Sequence, residues 1–494
     1  MNSARTLTLA ALMAPVLVSG CAGNFREYLH NPTTSSPAAF RETPQEAAVT
    51  PPDDAWWRAL NDPTLDALID RAMTQNWDAR AAEAELRRAR AIARLQGWTL
   101  LPSLNLSATA QRQRESSILQ TGPGVDPPPP PNEDTDYFSA GLEASWEPDV
   151  FGRLRGDVRA AQSDALGSEA ARRGVLVAVA SEVAAQYIGL RSAQARLDAA
   201  RTNVESQRET LRLTTSLREA GAGTRLDVAR AREQLASTES SAAALGGDVR
   251  VALYGLSTLV GRGGVDILEP LSTAAPIPTP PDAFNVGSPE DLLRRRPDIA
   301  QAEQRLIAAA QRAASRGDWW PRITLVGGAS VSAFATNDLS SDSAFGFNIG
   351  PRIDWPLLDI RRNMLRTEAR EALAEAEFER FDQAVASGLA DVEAALASYS
   401  AARRSAGFAR EGAAAAKEAA DLARLRYREG VDPFLQVLDS ERRQAEADDR
   451  RAVAEAQAAT AYVRLGQALG VGWASVAPPS EASERAADTL RGRD

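Results

Sequence analysis

The chain is almost without cysteine and histidine: Cys21 and His30 are the single examples of each among 494 residues. An internal disulfide needs two thiols, so none forms within the chain. Zinc sites of the Cys/His type and histidine-based catalytic triads have no residues to draw on. Aromatics are sparse at 6%. Beyond the N-terminus no apolar run reaches the roughly 20 residues that a membrane-crossing helix needs, and the mean hydropathy is −0.29. A bundle of transmembrane helices is thereby excluded. A basic surplus is also lacking: 56 Lys and Arg stand against 66 Asp and Glu, a net charge of −10. A nucleic-acid binder would want the opposite sign. What remains is ordinary for a folded chain, with 44% hydrophobic and 25% charged residues. Length alone suggests roughly three ordinary domains.

Residues 1–20 read as a secretory signal. Arg5 gives a small positive start, and Leu7 to Val18 is a short apolar stretch interrupted by Pro15. It ends in Val18-Ser19-Gly20-Cys21. Small residues let the backbone enter a peptidase groove, and the cysteine behind them offers a thiol. The pattern resembles the bacterial lipobox, which implies that Cys21 is lipidated and becomes the first residue of the mature chain. The alternative for Cys21 is a buried structural thiol. Acyl chains such as palmitate contribute membrane affinity of about 0.8 kcal/mol per buried CH₂. By the same resemblance, Ala22 rather than Asp after the cysteine favours the outer membrane. Residues 21–54 carry Pro32, Pro37, Pro44, Pro51 and Pro52 and read as an extended tether. His30 lies in that tether and carries no chemistry.

The rest of the chain repeats itself. Gly221 matches Gly430, Leu226 matches Leu435, Val228 matches Val437 and Gly261 matches Gly470, each pair 209 residues apart. The same offset pairs Trp146 with Trp355 and Val183 with Val392. A constant offset over so long a stretch marks a duplication. Upstream the offset grows to 219 or 220, as in Pro102 with Pro321 and Gly97 with Gly317. The first half therefore carries an insertion of about ten residues, around Gln120 to Asp136, whose Pro127 to Pro131 run is an exposed loop. The repeats span residues 55–262 and 289–472, joined by a linker at 263–288 and followed by a polar tail at 473–494.

Each repeat reads as helix, two strands and a long helical hairpin. Leu104, Leu106, Ala108 and Ala110 alternate with Ser103, Asn105, Ser107 and Thr109. The same period of two marks strands near 103–112, 137–147, 322–333 and 345–355. Their length suits a tilted transmembrane strand of roughly 9–11 residues. Trp98, Tyr137, Trp146, Trp319, Trp320 and Trp355 lie at strand ends, where an interfacial girdle would lie. A soluble, half-buried sheet is the competing reading of the strands alone. No proline occurs between Pro148 and Pro270, or between Pro356 and Pro433. Leu176, Val183, Leu190, Leu197, Val204 and Leu211 recur every seven residues, and their duplicates from Val385 to Ala420 are apolar too. A sustained period of 3.5 calls for coiled-coil packing. The helical hairpins cover 152–261 and 361–470, with tips at Gly221-Ala222-Gly223 and Gly430-Val431-Asp432-Pro433.

A lipobox, a duplicated chain, two β-hairpins and two very long helical hairpins together resemble the outer-membrane factor family. These are TolC-like, RND-type efflux lipoproteins of the OprM/NodT type. Leu101-Pro102 and Trp320-Pro321 before strands, and the tip sequences Arg218-Glu219-Ala220-Gly221 and Arg428-Glu429-Gly430-Val431-Asp432, strengthen the likeness. The resemblance implies a homotrimer sharing one twelve-stranded β-barrel and an α-helical tunnel across the periplasm. It implies a periplasmic adaptor docking at the tips (Gly221, Gly223, Gly430, Val431) and an inner-membrane pump of the RND type. Independently, four strands cannot close a barrel, and an open edge in lipid leaves backbone groups unpaired.

The resemblance also implies a gate where the hairpins converge. Its residues here are Tyr427, Leu435, Asp439 and Arg442, with Asp227 and Arg230 at the corresponding helix start of the first repeat. Leu435 would supply an apolar constriction and Asp439 a charged ring, partnered by Arg442 one turn on. The family often has a second Asp three residues earlier; here that position is Gln436. The competing reading makes Asp439 and Asp227 solvated charges near helix N-termini. Catalysis has little to work with, since no glycine cluster is followed by Lys-Ser/Thr. The expectation is a passive exit duct and not an enzyme, with no cofactor beyond the lipid on Cys21, no metal and no nucleic acid. The rivals are a coiled-coil lipoprotein spacer and a periplasmic adaptor. The spacer does not account for four alternating strands at duplicated positions, and an adaptor would be expected to show one central helical hairpin flanked by β-rich modules, not two hairpins in tandem.

Overall fold

The computed structural model of the chain describes residues 39–42, 52–114, 134–281, 284–314, 319–355 and 357–474. Cys21, the signal, Pro127 to Pro131 and the tail beyond 474 lie outside them. The first repeat opens with α1 (Pro63–Gln75) and α2 (Trp77–Trp98). Asp62 caps α1 by accepting from the amides of Thr64 and Leu65, with Pro63 at the first helical position. Strands β1 (Ser103–Gln113) and β2 (Thr135–Trp146) follow, then α3 (Arg153–Glu219) and α4 (Arg225–Val260). Between the repeats lie α5 (Leu268–Ser272) and an extended stretch. The second repeat has α6 (Pro289–Arg295), α7 (Pro297–Ala314), β3 (Arg322–Ala333), β4 (Phe345–Asp354), α8 (Ile360–Arg428) and α9 (Phe434–Ala468).

The strand bounds fall within two residues of those read from the alternation. The 263–288 stretch differs from a plain linker. It opens with a 3-10 turn at Gly264–Ile267 and then α5, because Ile267 and Leu271 are buried and apolar packing folds this part. Its remainder wraps the helices, the Thr273 carbonyl accepting from Arg191 and the Pro281 carbonyl from the Tyr399 hydroxyl. Residue 473 is no free tail either: its indole stacks against the Arg173 guanidinium at 4.4 Å and donates to the Gly470 carbonyl.

Helices α3 and α8 run 67 and 69 residues, which is about 100 Å each at 1.5 Å per residue. Such lengths hold only if one face is covered throughout. The seven-residue series does this: Leu176, Val183 and Leu190 are buried on α3, and Val385, Val392, Tyr399, Ala406, Ala413 and Ala420 on α8. Helix α3 pairs with α4, and α8 with α9. Midway along them a belt forms the main core, where Trp57, Leu65 and Ile69 pack with Val183, Tyr187, Leu256, Leu396 and Leu465. Each large side chain fully buried there contributes roughly 1.5–3 kcal/mol. Helices α3 and α8 are anchored at mid-length, leaving a sheet at one end and hairpin tips at the other.

The duplication is conformational as well as sequential. Gly221 and Gly430 close the two tips with φ of 75° and 74°, and Gly261 and Gly470 end the return helices with φ of 88° and 69°. Glycine recurs where the backbone turns left-handed, a region costly to residues with a Cβ.

Candidate channel wall and periplasmic gate

The four strands form one antiparallel sheet in the order β1-β2-β3-β4. Directly opposed residues share a face. One row runs Leu106, Leu142, Ala329, Phe347, and a neighbouring row Ala144, Gly327, Ile349. This face is apolar and open: Leu106 is 77% exposed and Phe347 76%. The other face carries Asn105 opposite Glu143, Ser139 opposite Ser332, and Gly328 opposite Asn348. Arg352 and Asp354 also lie on it and pair at 3.2 Å. An apolar face that none of the described residues covers suits hydrocarbon, and the polar face suits water. Trp98, Trp146, Trp320 and Trp355 are exposed at the end joined to the helices, and Tyr137 meets Phe334 edge-on at the far end. Among the described residues the outer edges of β1 and β4 have no partner strand.

At the opposite end, the tips of the two hairpins pack on each other. Tyr427, Phe434 and Val437 of the second hairpin bury with Ala231 of the first, against Leu211, Leu213 and Leu217. Burial, with Asp227 nearby, pushes the Tyr427 phenol above its ordinary range. Asp227 itself closes a capping box with Thr224, accepting from its amide and hydroxyl while the Asp227 amide donates back. It is therefore the third residue of a capping box whose N-cap is Thr224, and Arg230 sits one turn on, half-buried. Asp439 behaves differently. It pairs with Arg442 at 3.1 Å and Arg443 at 2.8 Å, and Arg442 continues to Glu446 at 3.8 Å. The sequence reading supplied Arg442 and missed Arg443. Leu435 stands out from the tip at 57% exposure, as does its duplicate Leu226 at 56%. Val431 is exposed at the turn, and Arg426 holds Asp432 by two hydrogen bonds of 2.7 and 3.1 Å. That pair lowers the Asp432 carboxyl below its ordinary value.

One residue of this region escaped the sequence reading. Glu441 is 5% exposed and accepts a 2.7 Å hydrogen bond from the Thr210 hydroxyl of α3. Arg424 of α8 lies 3.5 Å from it. Glu441 thus joins three helices and both hairpins. Burial pushes its carboxyl up, against the lowering pull of Thr210 and Arg424. Its position in the first repeat is Arg232, an exposed residue, so the duplication pointed away from it.

A sheet with one lipid-compatible face, rooted in paired helices of such length, defines the class of outer-membrane channel proteins. The chain belongs to the outer membrane efflux protein family, which matches residues 68–262 and 288–471, one segment for each repeat. It is similar to the pyoverdine export outer membrane protein OpmQ of Pseudomonas aeruginosa, at 32% identity over 85% of this chain and 88% of that one. It is similar to nodulation protein T of Rhizobium leguminosarum biovar viciae, at 28% identity over 97% of both chains. Among solved structures, the outer-membrane channel OprN superposes with a TM-score of 0.82 at 30% identity, over 90% of this chain and 98% of that one. The chain is an outer-membrane channel component of an efflux system, in a family of ducts and not of enzymes.

Proposed function

We propose that three copies of this chain close a twelve-stranded barrel and continue as a helical tunnel through the periplasm. The observation that carries this is a four-stranded sheet whose β1 and β4 edges have no partner strand among the described residues, with one continuous apolar face. In lipid an unpaired edge costs several kcal/mol per backbone group. Three copies remove every edge, and twelve is an even strand number within the range of such barrels. Cys21 carries the lipid anchor. The tips at Gly221, Gly223, Gly430 and Val431 receive a periplasmic adaptor. An inner-membrane pump of the RND type supplies the energy, while the duct is passive for small molecules such as drugs.

Asp439, flanked by Arg442 and Arg443, forms the charged ring of the resting gate, and Leu435 its apolar constriction. Like charges around an axis repel, so such a ring holds only with cationic partners. The first test is the protein mass of the detergent-solubilised chain with detergent subtracted. About three times the chain mass is expected; a detergent-independent soluble monomer overturns the barrel. For the gate, Asp439→Ala with Arg442→Ala raises conductance in planar bilayers. Unchanged conductance removes the ring from the mechanism.

A further inference from the structure

Midway along α3 the helical wall is hollowed by a cavity of about 850 Å³, within the roughly 300–1,000 Å³ range of small-molecule sites. A stretch of α3 is its floor, and α2 and α9 are its flanks. Val175 and Val179 of α3 and Val463 of α9 make the floor aliphatic. Charge stands at the exposed rim: Asp78 and Glu85 on α2, Glu182 on α3 and Arg464 on α9. Glu85 pairs with Arg88 at 2.6 Å. Arg172, the other guanidinium of the lining, is held by Glu83. Asp78 and Glu182 are then two carboxylates against the single guanidinium of Arg464. Ser181 lines the same cavity at 4% exposure, and its hydroxyl has no hydrogen-bond partner among the described residues. A buried hydroxyl without a partner is costly, and a group entering the cavity is what can satisfy it.

The cavity and the core belt lie on different sides of α3. Ala178 and Glu182, in the cavity, precede by five residues Val183 and Tyr187 of the belt, respectively. Five residues carry an α-helix about 140° past a full turn. Helix α3 packs against α2 on one side and against α7 and α9 on the other, so the cavity lies within one chain's wall and not at its edges. Three α1 belts turned inward would fill the bore, so an open tunnel puts the belts outside and the cavities inside. We propose that this cavity is a resting site for amphiphilic organic cations in the wall of the duct. The aliphatic floor takes the apolar body, Asp78 and Glu182 take the positive charge, and Ser181 accepts from an N–H donor. The inference rests on the proposed tunnel and names the class of cargo that its mid-height favours.

The test is the fluorescence anisotropy of ethidium, an aromatic cation with amino groups, titrated with the full chain in lipid nanodiscs and corrected for empty discs. Fluorescein, aromatic and anionic, is the counter-probe. Ethidium binds, and fluorescein binds at least about tenfold more weakly. Asp78→Asn with Glu182→Gln weakens ethidium at least about fivefold, and Arg464→Ala tightens it. Ala178→Trp fills the cavity and abolishes binding. All four positions are exposed, so these variants leave the core intact. Equal affinity for the two probes overturns the site, as does ethidium binding that survives unchanged in the carboxylate pair variant or in Ala178→Trp. Loss of ethidium binding on Asp439→Ala also overturns it, since the cation then sits in the gate ring. A trimer by detergent-corrected mass that binds no ethidium overturns the site and leaves the barrel standing. A soluble monomer overturns the barrel and the site with it.

Discussion

Glu441, Asp227 and Asp439 are three carboxylates of similar sequence context with three different fates. Glu441 is buried between the hairpins with its carboxyl raised, so its charged form is disfavoured in the folded state. The stability it gives is full below its ordinary value of 4.5 and is lost as pH rises past the raised value. Glu441→Gln, which retains an acceptor for Thr210, is therefore expected to raise the unfolding temperature of the detergent-solubilised protein at neutral pH. The gain shrinks toward zero below pH 4.5, and a pH-independent difference would contradict the assignment. Asp227 closes the capping box of α4. Asp227→Ala costs about 1 kcal/mol of helix stability and leaves conductance at its resting level. A conductance rise as large as that of the Asp439 variant would return Asp227 to the gate. The Thr224-to-Asp227 spacing of the capping box is local, but nothing in the sequence singled out Glu441, because its burial is a property of the partners across the hairpin interface.

Elements were far more legible than sites. The seven-residue recurrence from Leu176 to Leu211 and its duplicate gave the seams of α3 and α8, since a 3.5-residue period states which face is covered. Alternation gave the strands, because a period of two states which residues share a face. Three predictions belong to this scale. Val392→Ala, at a fully buried seam position in the core belt, is expected to destabilise by about 2–4 kcal/mol, read by thermal unfolding. Leu435→Ser at the exposed tip leaves stability within about 0.5 kcal/mol but raises conductance. Gly430→Ala forces an alanine into φ of 74° and costs about 1–2 kcal/mol, with unfolding that begins at the tip and is visible there first by hydrogen exchange. The helical pieces at Gly264–Ile267 and α5 were not legible, because their stability comes from Ile267 and Leu271 inserting into a core formed elsewhere.

For the molecule as a whole, the spacer reading fails on the sheet. A coiled-coil spacer has no use for a continuous exposed apolar face with aromatic rows at both ends. Arg296 shows how the halves are joined. It is buried, donates to the carbonyls of Gly388 and Ala468, and pairs with Asp298 at 2.7 Å and Asp391 at 3.0 Å. Removing it leaves the Ala468 carbonyl, at the end of α9, without this donor and Asp298 and Asp391 without their shared cation. Arg296→Met is expected to cost about 2–4 kcal/mol and to lower trimer yield, measured by detergent-corrected mass. The equatorial core around it holds both hairpins at mid-length, so a loss there reaches the sheet and the tips together.

The sequence by itself determined the duplication, the four strands, the two long hairpins and the glycines at their turns. Each of these follows from local periodicity or from a backbone conformation that one residue type favours. The tertiary structure alone decided which carboxylate is buried between hairpins. It alone decided that Phe40 leaves the tether for the core. Those outcomes depend on contacts between residues far apart in the chain, such as Thr210 with Glu441 and Arg41 with Glu393, and no local pattern encodes the partner across a packed interface.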